Sequence, residues 1–180
     1  MQRIVSTILI SFILTQTVAQ QQKKISMYLF TQYNKTIYDR TSDNNPWGFG
    51  LGFQAFLNNK TKFKPTLEIT GDAYMEDGKT LRLNDDGSIP EPYNDVRGMV
   101  NVFVGASFHP TEFSYASVLV GPSFIRRAFL GIKSSFGIYF SETKKWTVKV
   151  SYINIFNRDR YNPSKEDFGT ISLAVGFKLF

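Results

Sequence analysis

The stretch PWGFGLGFQAFLN, residues 46–58, carries the clearest indication of the fold of this chain. Every second position is apolar: Trp47, Phe49, Leu51, Phe53, Ala55 and Leu57. The positions between them carry glycine or an amide: Gly48, Gly50, Gly52 and Gln54. Because successive side chains of a strand point to opposite faces, this alternation predicts a strand with two different sides. The apolar side must be buried in something other than water.

Seven further segments show the same alternation, which makes eight strands. They are residues 25–33, 63–75, 96–108, 113–124, 130–140, 146–152 and 168–180. Most are about nine to thirteen residues long, the length that a tilted strand needs to cross a bilayer. Two segments alternate less cleanly, because Tyr28 and Phe30 interrupt the first and Tyr115 and Leu119 lie opposite the valines of the fifth.

The connections between these segments alternate in length. Those at residues 58–62, 109–112 and 141–145 are short, whereas those at 34–45, 76–95 and 157–167 are long and polar. One tight connection, around Arg126 and Arg127, falls on the long side. Short turns at one end and long loops at the other are typical of outer-membrane barrels, whose long loops face outward.

The first nineteen residues have the layout of a secretory signal peptide. Arg3 precedes an apolar run at residues 4–14, and small residues precede a predicted cleavage after Ala19. An eleven-residue run is too short to cross a hydrocarbon core of about 30 Å as a helix. We therefore expect a leader at residues 1–19 and a single exported domain at residues 20–180.

Composition excludes several classes of protein. The formal charge of +6 falls to +5 without Arg3, and the basic residues are spread singly, which does not favour nucleic-acid binding. The absence of cysteine excludes disulfide scaffolds and thiolate metal sites. With a single histidine as well, the sequence predicts neither a metal nor a cofactor.

Alternation alone fits both a membrane barrel and a soluble eight-stranded carrier with an apolar cavity. The glycines favour the membrane barrel, because Gly48, Gly50 and Gly52 would weaken a solvent-facing strand surface but make room inside a narrow lumen. The polar face would then line the lumen, where charges must be paired. We expect Glu68 and Asp72 to be bonded there to cations: Arg97, Lys133 and Lys149. An interior filled by side chains also disfavours an open pore.

Aromatic residues fall into two bands, as expected for girdles at the two interfaces of a bilayer. The principal members of these bands are Trp47, Phe63, Phe108, Phe140, Trp146 and Phe156.

With its leader, eight alternating strands and final strand GTISLAVGFKLF, the chain resembles the small outer-membrane β-barrel proteins typified by the OmpA membrane domain and OmpX. The resemblance implies an all-β, eight-stranded antiparallel up-and-down transmembrane barrel in the outer membrane of a Gram-negative bacterium. It also implies that the C-terminal aromatic, Phe180, belongs to the signal read by the barrel-assembly machinery. Phe177 and Leu179 are out of phase with Phe180, which departs from the usual pattern.

Some barrels of this size modify lipid A, so an enzyme is the principal alternative function. His109, with Ser107 and Glu112 nearby in sequence, is the candidate centre. No His-x-Ser motif is present, and a turn histidine at the barrel rim is the simpler interpretation. We therefore predict a protein that is not an enzyme.

Function is then expected in the outer loops, as a structural or surface-interaction role. The loop at residues 76–95 is acidic, and we expect it to be solvated. Arg126 and Arg127, at the outer rim, could bind the phosphates of lipopolysaccharide, although exposed cations often contribute little. Outer-membrane lipid and lipopolysaccharide are the expected partners, and a partner for the loops is not specified by the sequence.

Overall fold

The computed structural model describes residues 25–38, 42, 45–75, 98–125, 127–140, 143–156 and 167–180. The predicted leader, residues 1–19, lies outside them. The described residues form eight strands: β1 (Ile25–Thr36), β2 (Trp47–Leu57), β3 (Phe63–Met75), β4 (Gly98–Phe108), β5 (Ser114–Phe124), β6 (Ala128–Tyr139), β7 (Trp146–Ile155) and β8 (Phe168–Lys178). Among the described residues, no helix is long and apolar enough to span a bilayer.

The strands pair in chain order, all antiparallel, and β1 pairs with β8 to close the barrel. Leu29 of β1 stands opposite Phe53 on one side and Phe177 on the other. Closure leaves no unpaired edge strand. The predicted eight-stranded antiparallel barrel is confirmed.

The alternation of the sequence becomes an inside and an outside. In β2 the glycines and Gln54 are buried in the lumen, while Phe49, Leu51 and Phe53 are exposed on the outer surface. The same phase continues across the ladder, since Gly50 stands opposite both Gln32 of β1 and Asp72 of β3. We call the end with the long connections the loop end and the other the turn end.

Three strands extend further toward the loop end than the sequence indicates. β1 continues to Thr36 and β7 to Ile155, and β6 begins at Ala128. Asn34, predicted to begin a loop, is fully buried and bonded to Asp72 and Ser172. Its polarity reflects the lumen, not solvent.

The lumen is not purely polar, because it also contains two clusters of buried apolar and aromatic residues. A loop-end cluster, which reaches mid-barrel, consists of Tyr74, Met99, Phe103, Leu119, Ile153, Ile155 and Phe168. A turn-end cluster consists of Tyr28, Phe56, Tyr115 and Tyr139. Tyr28 and Phe30, which interrupt the alternation in β1, are inward-facing aromatic residues. The core of this protein is therefore a filled lumen, in which the loop-end and turn-end clusters lie on either side of polar contacts.

Candidate functional site

Glu68 of β3 is bonded to two lysines in the middle of the lumen. Lys149 Nζ lies 2.8 Å from Glu68 Oε2, and Lys133 Nζ bonds Glu68 Oε1. The side chains of Glu68 and Lys133 are 0% exposed and that of Lys149 is 2% exposed. Breaking such a pair would strand a charge in a region that water does not reach.

Neighbouring groups also contact the ammonium group of Lys149. Gln54 Oε1 accepts hydrogen bonds from Lys149 Nζ at 3.3 Å and from the Tyr115 hydroxyl at 3.2 Å. The ring of Phe30 has its centroid 4.0 Å from Lys149 Nζ, close enough for a cation–π contact. These contacts thus join six strands, β1, β2, β3, β5, β6 and β7, across the lumen.

Asp72 is held differently from the expectation. Its partners among the described residues are amides and a hydroxyl, not lysines: Gln32 and Asn34 donate to Oδ1, while Thr70 and Asn101 donate to Oδ2. The register explains this, because Gly50 between β1 and Asp72 has no side chain and lets the β1 amides reach across. The prediction that Asp72 bonds Lys133 or Lys149 is wrong. Arg97, the third expected partner, lies outside the described residues.

His109 begins the turn after β4 and lies on the turn-end cluster. Its ring centroid is 5.3 Å from that of Phe56, 5.6 Å from that of Tyr115 and 6.3 Å from that of Tyr139. Burial, followed by the positive charges of Lys64 and Lys144, lowers the pKa of His109 to about 4. Nε2 is buried and has no hydrogen-bond partner among the described residues.

These contacts do not assemble a catalytic triad around His109. The Ser107 hydroxyl faces the lumen and is 2.7 Å from the Thr66 hydroxyl, while Glu112 is exposed on the turn. A triad needs the nucleophile bonded to the histidine and the histidine bonded to the acid. Neither contact is present among the described residues.

The aromatic residues of the two bands lie on the outer surface. At the turn end, the rings of Phe63 and Phe108 are 4.8 Å apart, and those of Trp146 and Phe177 are 5.0 Å apart. Phe140 is exposed at the same end. At the loop end, Trp47 stacks on Tyr33, and Phe156 is exposed.

The remaining predicted residues lie at the two ends of the barrel. Arg127 is exposed in the tight β5–β6 connection, and Arg126 lies outside the described residues. The carbonyl of Phe180 accepts a hydrogen bond from the Met27 amide at 3.0 Å, so the chain continues its pairing with β1 beyond β8. In the described part of the chain, no group of three His, Cys, Asp or Glu side chains could hold a metal ion.

Sequence reasoning missed the neutral partners of the lumen charges. Gln32, Asn34, Gln54, Thr70 and Asn101 all lie on the inward face of their strands, which the alternation could identify. Which of them meets which charge depends on the register between strands, which is not visible in one strand alone.

No protein-family model and no curated protein matches this chain. Among solved structures, it is similar to the crystal structure of Ail, the attachment invasion locus protein of Yersinia pestis, with 15% identity over 87% of this chain and 99% of that chain and a TM-score of 0.51. It also matches Neisserial surface protein A (9% identity, 86% and 97% covered, TM-score 0.48) and a de novo designed transmembrane β-barrel (11%, 87% and 96%, TM-score 0.49). At these identities the likeness concerns the fold, which is that of small eight-stranded outer-membrane barrels.

Proposed function

We propose that this protein is a non-enzymatic outer-membrane barrel that spans the membrane with its eight strands and acts through the loops at its loop end. The observation that supports this most is the outer surface. Large apolar side chains are exposed on every strand, from Leu29 and Leu51 to Val150 and Leu173. A water-soluble barrel would bury such a belt, whereas a bilayer covers it.

The filled lumen supports a role without an open pore. Glu68, Lys133 and Lys149 are shielded from solvent, and aromatic or aliphatic clusters lie on both sides of them. Eight strands leave an interior that side chains fill. In the described part of the barrel, inward side chains occupy the space that a soluble carrier would need for an apolar ligand.

Epitope insertion tests the proposed orientation. An epitope inserted after Asp86, in the long connection between β3 and β4, should be bound by antibody on intact cells. The matched control is the same epitope inserted after Lys60, in the turn between β2 and β3, which should be bound only after the outer membrane is permeabilised. Detection of the Lys60 epitope on intact cells, or retention of both proteins in the soluble periplasm, would overturn the proposal.

Replacement of the loop then separates a loop role from a scaffold role. In a deletion strain, a variant with residues 78–94 replaced by a short Gly-Ser linker should fold and reach the outer membrane, yet fail to restore the surface phenotype of the wild type. Full restoration by this variant would assign the function to the barrel alone. Conductance in planar bilayers should stay at the baseline for both proteins.

We also propose that Arg126 and Arg127 contact the phosphates of lipopolysaccharide at the outer rim. Arg127 is exposed and precedes Ala128, the ladder partner of Phe124, whose side chain is exposed on the outer surface. The variant R126Q/R127Q should lose the thermal stabilisation that added lipopolysaccharide gives to the wild type in detergent. The variant K60Q/K62Q, with the same loss of charge at the other end, should keep it.

A further inference from the structure

The described residues at the turn end of the barrel are strongly basic. The described residues there include six lysines: Lys60, Lys62, Lys64, Lys144, Lys145 and Lys178. Glu112 is the one carboxylate side chain among the described residues of this end, and it is exposed. Three of the lysines differ from the rest because they are half-buried: Lys64, Lys144 and Lys178. We call these three the mouth lysines.

The mouth lysines surround the turn-end cluster. Lys64 stands opposite Ser107, two residues before His109, and Lys178 stands opposite Tyr28. Lys144 Nζ lies 6.0 Å from the centroid of the Tyr139 ring. Since the rings of Tyr28 and His109 both pack against Tyr139, the three lysines lie around one opening of the lumen, close enough for the charges of Lys144 and Lys178 to act on Lys64.

The β6–β7 turn holds Lys144 in an unusual backbone conformation. Its φ of 53° lies in the left-handed region, which residues other than glycine adopt rarely and at a cost. Its carbonyl accepts a hydrogen bond from the buried Tyr28 hydroxyl at 3.1 Å. The turn is thereby tied to the lumen cluster, with the Lys144 side chain over Tyr139.

Few partners in the described residues neutralise these charges. Lys64 Nζ bonds the neutral amide oxygen of Asn58 at 3.2 Å. No carboxylate of the described residues forms an ion pair with a mouth lysine. Beside them, the buried Nε2 of His109 has no hydrogen-bond partner within the described part of the chain. The site therefore combines converging positive charge, an unused imidazole nitrogen and an aromatic floor.

We infer that the turn-end mouth is a binding site for a phosphate group, held by Lys64, Lys144 and Lys178 and by the imidazole of His109. A phosphate dianion has several acceptor oxygens, which suits three separate ammonium donors better than a single carboxylate does. Protonated His109 would add a fourth donor. The phosphate could belong to a soluble molecule entering the lumen or to a phospholipid headgroup folding over the rim. This inference requires the folded barrel and does not depend on the proposed loop function.

The single histidine of the chain is a built-in reporter of occupancy. We would label the histidine isotopically, fold the protein in maltoside micelles without phosphate, and follow the imidazole NMR signals during titration with pyrophosphate. Sodium chloride at matched ionic strength is the salt control. Binding should shift the signals saturably and raise the pKa of His109, because the anion offsets the positive charge around it.

Two double variants with equal loss of charge identify the site. K64Q/K144Q should weaken pyrophosphate binding by about tenfold or more, as expected for the loss of two charge-assisted contacts. K60Q/K62Q, which removes exposed lysines of the adjacent turn, should bind nearly as the wild type does. A circular dichroism spectrum and a heat-dependent gel shift confirm that both variants are folded.

Nanodiscs distinguish the two sources of phosphate. If a headgroup occupies the mouth, the pKa of His109 will be higher in discs of phosphatidylcholine or phosphatidylglycerol than in maltoside micelles, and the lipid will compete with pyrophosphate. If the ligand is soluble, neither lipid will change the pKa of His109 or the affinity for pyrophosphate, and pyrophosphate will still bind. Absence of a saturable response to either probe, or equal binding by the two double variants, would overturn the inference.

Discussion

At the scale of single residues, the lumen depends on where a side chain is missing. The ring of Tyr115 lies directly over Gly137 of β6, its partner in the ladder. A Cβ atom on Gly137 would overlap that ring. Gly71 of β3 faces outward and has no atom within 4 Å of an added Cβ. Close packing therefore excludes a side chain at Gly137 but not at Gly71, although both glycines lie within strands.

We predict opposite results for alanine at these two positions. G137A should lower the free energy of unfolding by about 1–3 kcal/mol through overpacking of the lumen. G71A should leave it unchanged or raise it by up to about 1 kcal/mol, since alanine loses less backbone entropy than glycine on folding. Urea unfolding in phospholipid vesicles measures both, and an equal loss in the two variants would contradict this account of the lumen.

A second prediction concerns Lys133 and Lys149, which both bond Glu68. E68Q removes the carboxylate that both ammonium groups bond, in a region that solvent does not reach. We expect a loss of about 3–5 kcal/mol in unfolding free energy, the range for breaking a buried ion pair. E112Q, an exposed carboxylate removed from the turn, should change it by no more than about 0.5 kcal/mol. A small effect of E68Q would mean that water reaches the cluster.

The low pKa of His109 makes stability depend on pH. The pKa is about 4 in the folded protein and 6.5 for an unperturbed histidine, so between these values the unfolded state binds more protons. Stability should therefore fall as the pH drops from 6.5 toward 4. H109F retains the ring contacts and removes the titration, so its stability should fall less steeply over this range. Parallel curves for the two proteins would contradict the assignment.

At the scale of elements, the pairing of β4 with β5 has an interruption at Pro122. The ladder joins Asn101 to Ser123 and Val104 to Val120, but does not include Val102 with Pro122 or Phe103 with Gly121. The Ile125 amide bonds toward β6, so the even-numbered Pro122 faces β4. Proline has no N–H, and the carbonyl of Val102 therefore receives no hydrogen bond from position 122 in the proposed hydrocarbon region.

Restoring the donor should strengthen this pairing. We predict that P122V raises the unfolding free energy by about 1 kcal/mol, the net contribution of one hydrogen bond. P65V is the matched control, because the β2–β3 ladder ends at Phe56 and Thr66 and Pro65 lies beyond it. Vesicle unfolding measures both, with hydrogen exchange of the backbone amide that P122V introduces as a direct reading of the new bond. Unchanged stability and fast exchange would show that this seam stays open.

Alternation in the sequence predicts the outward face of some strands but not of others. The period of two assigned the outward faces of β2, β3 and β6 because a lipid-facing surface and a lumen differ strongly in polarity. It was ambiguous for β1 and β5, whose inward Tyr28, Phe30 and Tyr115 are as apolar as the outward residues. A narrow lumen accepts rings as readily as polar groups, so polarity alone could not assign those faces.

The candidate site was less accessible to sequence reasoning than the fold. Alternation brought Glu68, Lys133 and Lys149 to the inward face, but the different partners of Asp72 follow from the register around Gly50. The mouth lysines were not recognised, since they are distant in the chain and meet only when β8 closes on β1. Contacts of this kind are a property of the closed barrel.

At the scale of the whole molecule, the barrel reverses the arrangement of a soluble protein. Apolar side chains cover the outside of all eight strands, while buried charges and amides fill much of the inside. Such a surface is stable only where lipid or detergent covers it. Closure of the ladder between β1 and β8 pairs the backbones of these two strands without water.

The other inferences all depend on a closed barrel in the outer membrane. The gel mobility of the protein from an outer-membrane fraction, heated against unheated in detergent, is the measurement that tests for this barrel. We predict a clear shift, because the closed ladder resists the detergent until heat unfolds it. Recovery of the protein from the soluble periplasmic fraction, with no shift on heating, would contradict this account.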